Sequence, residues 1–469
     1  MGRREWPGQL DHEPTLAGCQ FFSKLRVLRR SASYAGSHVS EQRRPVKPLR
    51  GGGNQMGSAK TPLTKEGLNR YVATGEDTVD LASLRRDRLA KLQRAMRHHD
   101  VPALLLTNPV NIRFATGVSV MPIWTAINFA RYALVPQEGD PVVFEYGKSL
   151  FIAQEIWPQS EAARYFQYRF TQHEAVKRSD DWARGITAHL EKMGLRQTTG
   201  SAKFKVGFDA LDHYGHAALQ RAGVELVDAD QSIVDAKLIK SADEIKLLRE
   251  SCSIAETALR HMEDAIRPGV SEHELFGKFF GKAIELGAEY SSTRLLCAGH
   301  RTNPWFHEAS QYHVRPGDLV GIDTDMTGPE GYLCDISRTF VCADRMTAAQ
   351  AEIYAVAKDF VYGVMEQCKP GLSYESLVRN APVVPEKYRP QSYSCMMHGS
   401  GFDDEPPYLP YLHQVHDGAL VPRGELQENM VLSVEFYAGA PGERDGVKLE
   451  EQILVTRNGC ELLSRYPLL

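Results

Sequence analysis

The chain has 469 residues, is 42% hydrophobic and carries a formal net charge of −4. That length holds one or two domains, and no apolar run reaches the roughly 18 residues of a membrane helix, so no membrane span is expected. Eight cysteines, at 19, 252, 297, 334, 342, 368, 395 and 460, form no CxxC pair, which argues against a zinc ribbon or a redox dithiol. With no secretory signal at the start, reduced cysteines and a cytoplasmic enzyme are expected.

The charge is uneven along the chain. Residues 1–60 carry a balance of +7, leaving −11 for the rest. The piece FFSKLRVLRRSAS (21–33) is Arg- and Ser-rich, as a mitochondrial presequence is, but Glu5, Asp11 and Glu13 precede it. RRPVKPLRGGGNQMGSAK (43–60) has the Pro and Gly of an unpacked linker, and Met56 offers an alternative start. A disordered tail over 1–76 is the reading taken. The acidic remainder shows no basic or aromatic face for nucleic acid.

In chain order, DLASLRRDRLAKLQRAMRHHD (80–100) spaces Leu81, Leu84, Leu89, Leu92 and Met96 as an amphipathic helix. PALLLTN (102–108), RYALVP (131–136), DPVVFEY (140–146), VGFDA (206–210) and VELVDA (224–229) read as strands. DDWARGITAHLEKMG (180–194) reads as a helix closed by Gly194. This alternation predicts a first α/β domain over 77–236. A second, over 237–469, opens with a capping box of Ser241 and Glu244. RPGVSEHEL (267–275) reappears as KPGLSYESL (369–377), and Pro-Gly before a Ser cap ends one helix and starts another. The repeat points to a pseudo-symmetric αβ domain, with strands over 317–325, 332–341, 430–438 and 447–456 around a helix at 347–367.

GIDTDMTGPEGYLCDISRTF (321–340) places Asp323 and Asp325 at i and i+2 on a predicted strand, where alternation puts both on one face. Asp335 opens the next strand. Buried carboxylates this close repel one another and lose hydration, and a cation removes the conflict. His398 follows two methionines and precedes two glycines in YSCMMHGSGFDDEPP (393–407), and Glu435 lies mid-strand in MVLSVEFYA (430–438). GVKLEEQILVT (446–456) adds Glu450 or Glu451, on opposite faces of the strand. One His and several carboxylates suit Fe, Mn, Co or Zn.

The order Asp, Asp, His, Glu, Glu on strands resembles the "pita-bread" metalloenzymes: methionine aminopeptidase, prolidase, aminopeptidase P and creatinase. ALLLTNPVNIRFATG (103–117) is similar to the N-terminal domain of the creatinase and prolidase branch. The resemblance covers about 80–469 and implies Asp325, Asp335, His398, Glu435 and Glu450 as ligands of two divalent ions. It also implies a homodimer.

Departures from the peptidase pattern narrow the resemblance. The peptidases' two Asp ligands stand eleven apart; here Asp325 to Asp335 is ten and Asp323 to Asp335 twelve, and the extra Asp323 looks like a sixth ligand. Ser394 and Asp404 stand where the peptidases carry their proton-shuttling histidines, although His307 matches a third upstream. TRLLCAGHRTNPWF (293–306) joins these segments in resembling the dimethylsulfoniopropionate (DMSP) lyases of the metallopeptidase fold, which have the extra Asp, a Tyr at the place of Tyr393 and an Asp at that of Asp404. The resemblance implies β-elimination on a small sulfonium acid, with Asp404 as general base, Tyr393 beside it and iron as the metal. Sulfonium recognition calls for aromatic faces, for which Trp305, Phe306, Tyr393 and Trp124 are the candidates. The alternatives are an Xaa-Pro dipeptidase or aminopeptidase, and a non-catalytic binding protein on the same fold.

Overall fold

Asp80 caps the helix Leu81–His98, its carboxylate accepting the amides of Ala82 and Ser83 at 3.0 and 3.2 Å. Leu81, Leu84, Leu89, Leu92 and Met96 are all buried, as their spacing predicts. The computed structural model describes residues 70–72, 78–128, 130–163, 172–196 and 202–469. The basic segment over 1–60 lies outside them; within the tail expected over 1–76, Arg70–Val72 is described and pairs as a strand with Thr78–Asp80.

The first lobe is built on a six-stranded sheet. Its order is Glu161–Ala162, Val142–Glu145, Tyr132–Pro136, Ala103–Leu106, Phe204–Phe208, Val224–Asp228. The second to fourth of these are antiparallel neighbours, and the last three run parallel. Every residue of the three strands at its centre and left, from Ala103 to Glu145, is buried, so they read as continuous apolar runs. The helix expected at 180–194 starts earlier, at Gln172, and ends at Lys192, with Gly194 at φ +73 behind it.

In the second lobe the internal repeat is structural. Helix Ala242–Glu263, capped by Ser241 and Glu244, precedes the first copy; helix Ala348–Met365 precedes the second. Gly269 and Gly371 take φ +88 and +82, a region that only glycine enters without strain. Their amides donate to the carbonyls of Val314 and Leu426, each at 2.8 Å. Ser271 and Ser373 then cap the helices Glu272–Glu285 and Tyr374–Asn380, and bridge His313 and Glu425 respectively. Ten residues beyond those bridge partners stand Asp323 and Glu435. The duplication therefore delivers one acid from each half of the lobe.

Two sheets carry the acids. One has the order Leu296–Ala298, Leu319–Asp323, Ser337–Val341; the other Asp404–Leu409, Met397–Ser400, Val431–Ala438, Val447–Thr456, Gly459–Leu462. The strand expected over 317–325 is not continuous. It ends at Asp323, Asp325 takes φ +36, and Met326–Thr327 joins a separate small sheet with Tyr290–Ser291 and Leu333–Cys334. Strand alternation therefore does not set the direction of Asp325: a left-handed turn between two sheets does. The strand expected at 332–341 is divided in the same way, and Asp335 stands in the break between Leu333–Cys334 and Ser337–Val341.

Candidate metal centre and active site

Antiparallel register sets Glu435 directly opposite Glu450 on neighbouring strands. Both are buried. Alternation along Val447–Thr456 turns Lys448, Glu450 and Gln452 to one face and Glu451 to the other. Glu451 accepts from Arg338 at 2.9 Å, whereas Glu450 meets His398. Of the two glutamates that the sequence leaves open, Glu450 is the one that joins the acid cluster.

His398 sits on Met397–Ser400, paired with Ser433 of the next strand. Its Nδ1 is 2.9 Å from the carbonyl of Gly399 and donates to it, so Nε2 is the ring nitrogen that faces the acids. Nε2 lies 3.5 Å from Asp335 Oδ2, 3.6 Å from Glu435 Oε1 and 3.5 Å from Glu450 Oε1. Atoms bound at about 2.1 Å around a tetrahedral ion stand about 3.4 Å apart, so this spacing fits a shared cation. Asp335 Oδ1 and Glu450 Oε1 are buried with no hydrogen-bond donor, which a metal would satisfy. A second group, Asp325, Asp335 and Asp404, also brings one oxygen each to within 4.8 Å of the others. Asp335 belongs to both groups.

The electrostatics follow from this crowding. Burial and the neighbouring acids hold the carboxyls of Asp325 and Asp335 well above the usual range. Burial raises Asp323 to about 6 and Glu435 to about 7, with Lys448 opposing both. For His398, burial favours the neutral ring, but Glu450, Glu435 and Asp404 outweigh it and push the imidazole up to about 10.

The buried cation here is one that sequence reasoning missed. Lys448 is 1% exposed, with Nζ 2.8 Å from Glu435 Oε2, 3.0 Å from Glu450 Oε2 and 3.6 Å from Asp323 Oδ2. It occupies the outer oxygens of both glutamates and leaves their Oε1 atoms turned to His398. Its signal was present in the chain: a lysine two residues before Glu450 in an apolar strand shares that residue's face. Ser337 adds to this side, its hydroxyl 2.8 Å from Asp323 and 2.9 Å from Glu450. Thr293 donates to Asp325.

The remaining candidates are placed unevenly. Asp404 opens the strand Asp404–Leu409, and its Oδ1 is 3.9 Å from His398 Nδ1. Its side chain is 47% exposed, while those of Asp335, Glu435 and Glu450 are at most 4%. A cavity of about 320 Å³ opens beside it, lined by Asn111, Lys237, Asp403 and Tyr408 among others. Tyr393 lies 4.5 Å beneath the Lys448 ammonium, and exposed Phe306 stacks on it at 5.1 Å. Trp305 is buried against Tyr437 and above Gly321, where a Cβ would come within 2.9 Å of its ring. His307 stays within its own loop, its Nδ1 2.8 Å from the carbonyl of Arg301. Trp124, on the short helix Pro122–Asn128, packs edge-on against Tyr146 in the first lobe and makes no ring contact with the acid cluster.

Two lobes of this kind, with paired acids and one histidine in the pseudo-symmetric second lobe, define a two-domain protein of the metallopeptidase "pita-bread" fold. The profile of Metallopeptidase family M24 matches residues 246–457, and that of the Creatinase/Prolidase N-terminal domain matches 88–239. "Dimethylsulfoniopropionate lyase DddP" of Roseovarius nubinhibens is 30% identical over 445 residues, covering 92% of this chain and 98% of its own. An "Xaa-Pro dipeptidase" of Pyrococcus furiosus is 24% identical, over 81% of this chain and 98% of its own. Among solved structures, an Xaa-Pro dipeptidase from Bacillus anthracis superposes with a TM-score of 0.64 at 22% identity, over 82% of this chain and 99% of that one. The chain belongs to the M24 metallopeptidase-fold family, in the branch of the DddP relatives. Among the described residues, no helix is long and apolar enough to cross a membrane.

Proposed function

We propose that the chain is a metal-dependent carbon–sulfur lyase that cleaves DMSP to dimethyl sulfide and acrylate. The observation that carries this reading is the position of Asp404: a solvent-reachable carboxylate at the rim of a buried acid cluster. The resemblance to DddP over nearly the whole chain supports it.

On this reading, Asp335, His398, Glu435 and Glu450 would hold one divalent ion, and Asp323, Asp325 and Asp335 would contribute to a second. Iron is the metal expected; Zn, Mn and Co suit the same donors. When bound, such ions supply positive charge for the substrate carboxylate and for the negative charge that grows beside it. Asp404 takes the proton from the carbon next to that carboxylate. The electron pair freed from the C–H bond becomes the new C=C bond, and the C–S pair leaves with dimethyl sulfide. No water attacks, so the chemistry has no use for the shuttle histidines of a peptidase. Exposed Phe306 is the aromatic face offered to a sulfonium, backed by Tyr393, whose own ring lies against the Lys448 ammonium. Domain limits at 77–236 and 237–469 and a homodimer that brings Trp124 to a partner's site belong to the same reading.

The dipeptidase-like relatives favour a second reading, hydrolysis of an Xaa-Pro peptide on the same ligands. Incubation with DMSP and gas chromatography of the headspace separates them. Dimethyl sulfide is expected from the parent enzyme, and at least about 100-fold less from Asp404→Ala with its metal retained. Cleavage of an Xaa-Pro dipeptide with no dimethyl sulfide would replace the lyase reading.

A further inference from the structure

The loop that carries Asp404 leaves the ligand strand after Ser400 and returns as Asp404–Leu409. Inside the turn, Glu405 points back under it. Glu405 Oε1 accepts the amide of Phe402 at 3.0 Å, and its Oε2 is 2.8 Å from Lys240 Nζ. Lys240 also donates to the carbonyl of Lys237 at 2.7 Å. Both partners are 4% exposed. Gly401 is shaped to this contact, because a Cβ there would lie 2.6 Å from the Glu405 carboxylate. The Phe402 ring is held by Phe114 at 5.7 Å, Tyr332 at 4.7 Å and the Arg88 guanidinium at 5.1 Å. Lys240 lies between the helices Asp230–Leu238 and Ala242–Glu263, in the connection between the lobes.

A buried ion pair repays little in stability, since both charges lose their hydration. What it does supply is direction: two short charge-assisted bonds hold one carboxylate in one place. Here that carboxylate adjoins Asp404 in the chain and bonds the amide two residues before it. We infer that Lys240 is a positioning residue: through Glu405 it locks the 401–405 turn so that Asp404 stands beside His398 and the acid cluster. The connection between the lobes thereby sets the geometry of a group carried on the second lobe's Asp404–Leu409 strand. The inference rests on the lyase reading for the role of Asp404, but not for the clamp itself.

The test compares Lys240→Met, Glu405→Gln and the double variant with the metal-loaded parent enzyme. Metal content per chain is expected to be unchanged in all three. For Lys240→Met, kcat for dimethyl sulfide release falls at least 10-fold while KM stays within about 2-fold. The double variant is no worse than the more affected single, as expected for two residues acting as one unit. Hydrogen–deuterium exchange of the 401–405 amides accelerates in each variant, a readout that needs no activity. If Lys240→Met fails to fold, Glu405→Gln, which keeps the side-chain shape, carries the test. An active parent whose kcat and loop exchange are untouched by either substitution would overturn the positioning role. A parent that releases no dimethyl sulfide would overturn the lyase reading alone, and exchange would still decide the clamp.

Discussion

Glu435 and Glu450 face each other across two antiparallel strands, and one ammonium, that of Lys448, binds the outer oxygen of each. The inner oxygens are thereby aimed at His398. Removing the ammonium leaves buried carboxylates without compensation. Lys448→Met is expected to cost the metal-free protein about 3 kcal/mol or more. Urea denaturation in the presence of a chelator measures this, and an unchanged midpoint would show that the glutamates do not depend on Lys448.

Arg338 has an anchoring role on the opposite face of the same strand. It donates to Glu451 at 2.9 Å, to the carbonyl of Glu450 at 2.6 Å and to that of Tyr466 at 2.6 Å, and is 1% exposed. Arg338→Ala is expected to destabilise the protein by about 3–5 kcal/mol, through the stranded Glu451 charge. Calorimetry on the parent and variant checks it; a loss under 1 kcal/mol would contradict the argument.

His398 Nε2 faces Asp335, Glu435 and Glu450 as the imidazole of the proposed ligand set. Replacing even an outer partner of a metal ligand commonly lowers affinity about 10- to 100-fold, so His398→Ala is expected to lose at least that much. Elemental analysis after dialysis reads the outcome: full metal occupancy in the variant would remove His398 from the ligand set.

The acids also predict a pH dependence for the metal-free protein. Asp323 and Glu435 keep their protons to about 6 and about 7 in the folded state, against about 3.9 and 4.3 when unfolded. Between these values the folded state binds more protons, so stability falls as pH rises. His398, raised to about 10, acts in the same sense: its contribution is full below about 6.5 and declines as pH rises towards its folded value. Tm in chelator should therefore drop between about pH 5 and pH 8. Divalent metal competes with these protons, so its stabilising effect should grow over the same range. A Tm in chelator that climbs with pH would contradict this charge assignment.

The chain by itself determined the elements and the kinds of residue they carry. Apolar spacing marked the helix Leu81–His98, the Ser-x-x-Glu signal marked the start of Ala242–Glu263, and the repeated Pro-Gly-x-Ser turns marked the duplication. These are local consequences of backbone periodicity and capping, complete within a few residues. Acids ending or interrupting apolar strands announced a cation site for the same reason: a buried charge needs a partner wherever it lies. Tertiary structure alone decided the rest. The direction of Asp325 depends on a left-handed turn between two sheets. The choice of Glu450 over Glu451 depends on which face meets His398 and which meets Arg338. Lys448 became part of the site only when three strands closed round it, and Lys240 reached Glu405 only when the 401–405 turn packed against the connection between the lobes. Each is a contact between residues far apart in sequence, whose distance depends on how the whole chain closes rather than on any local pattern.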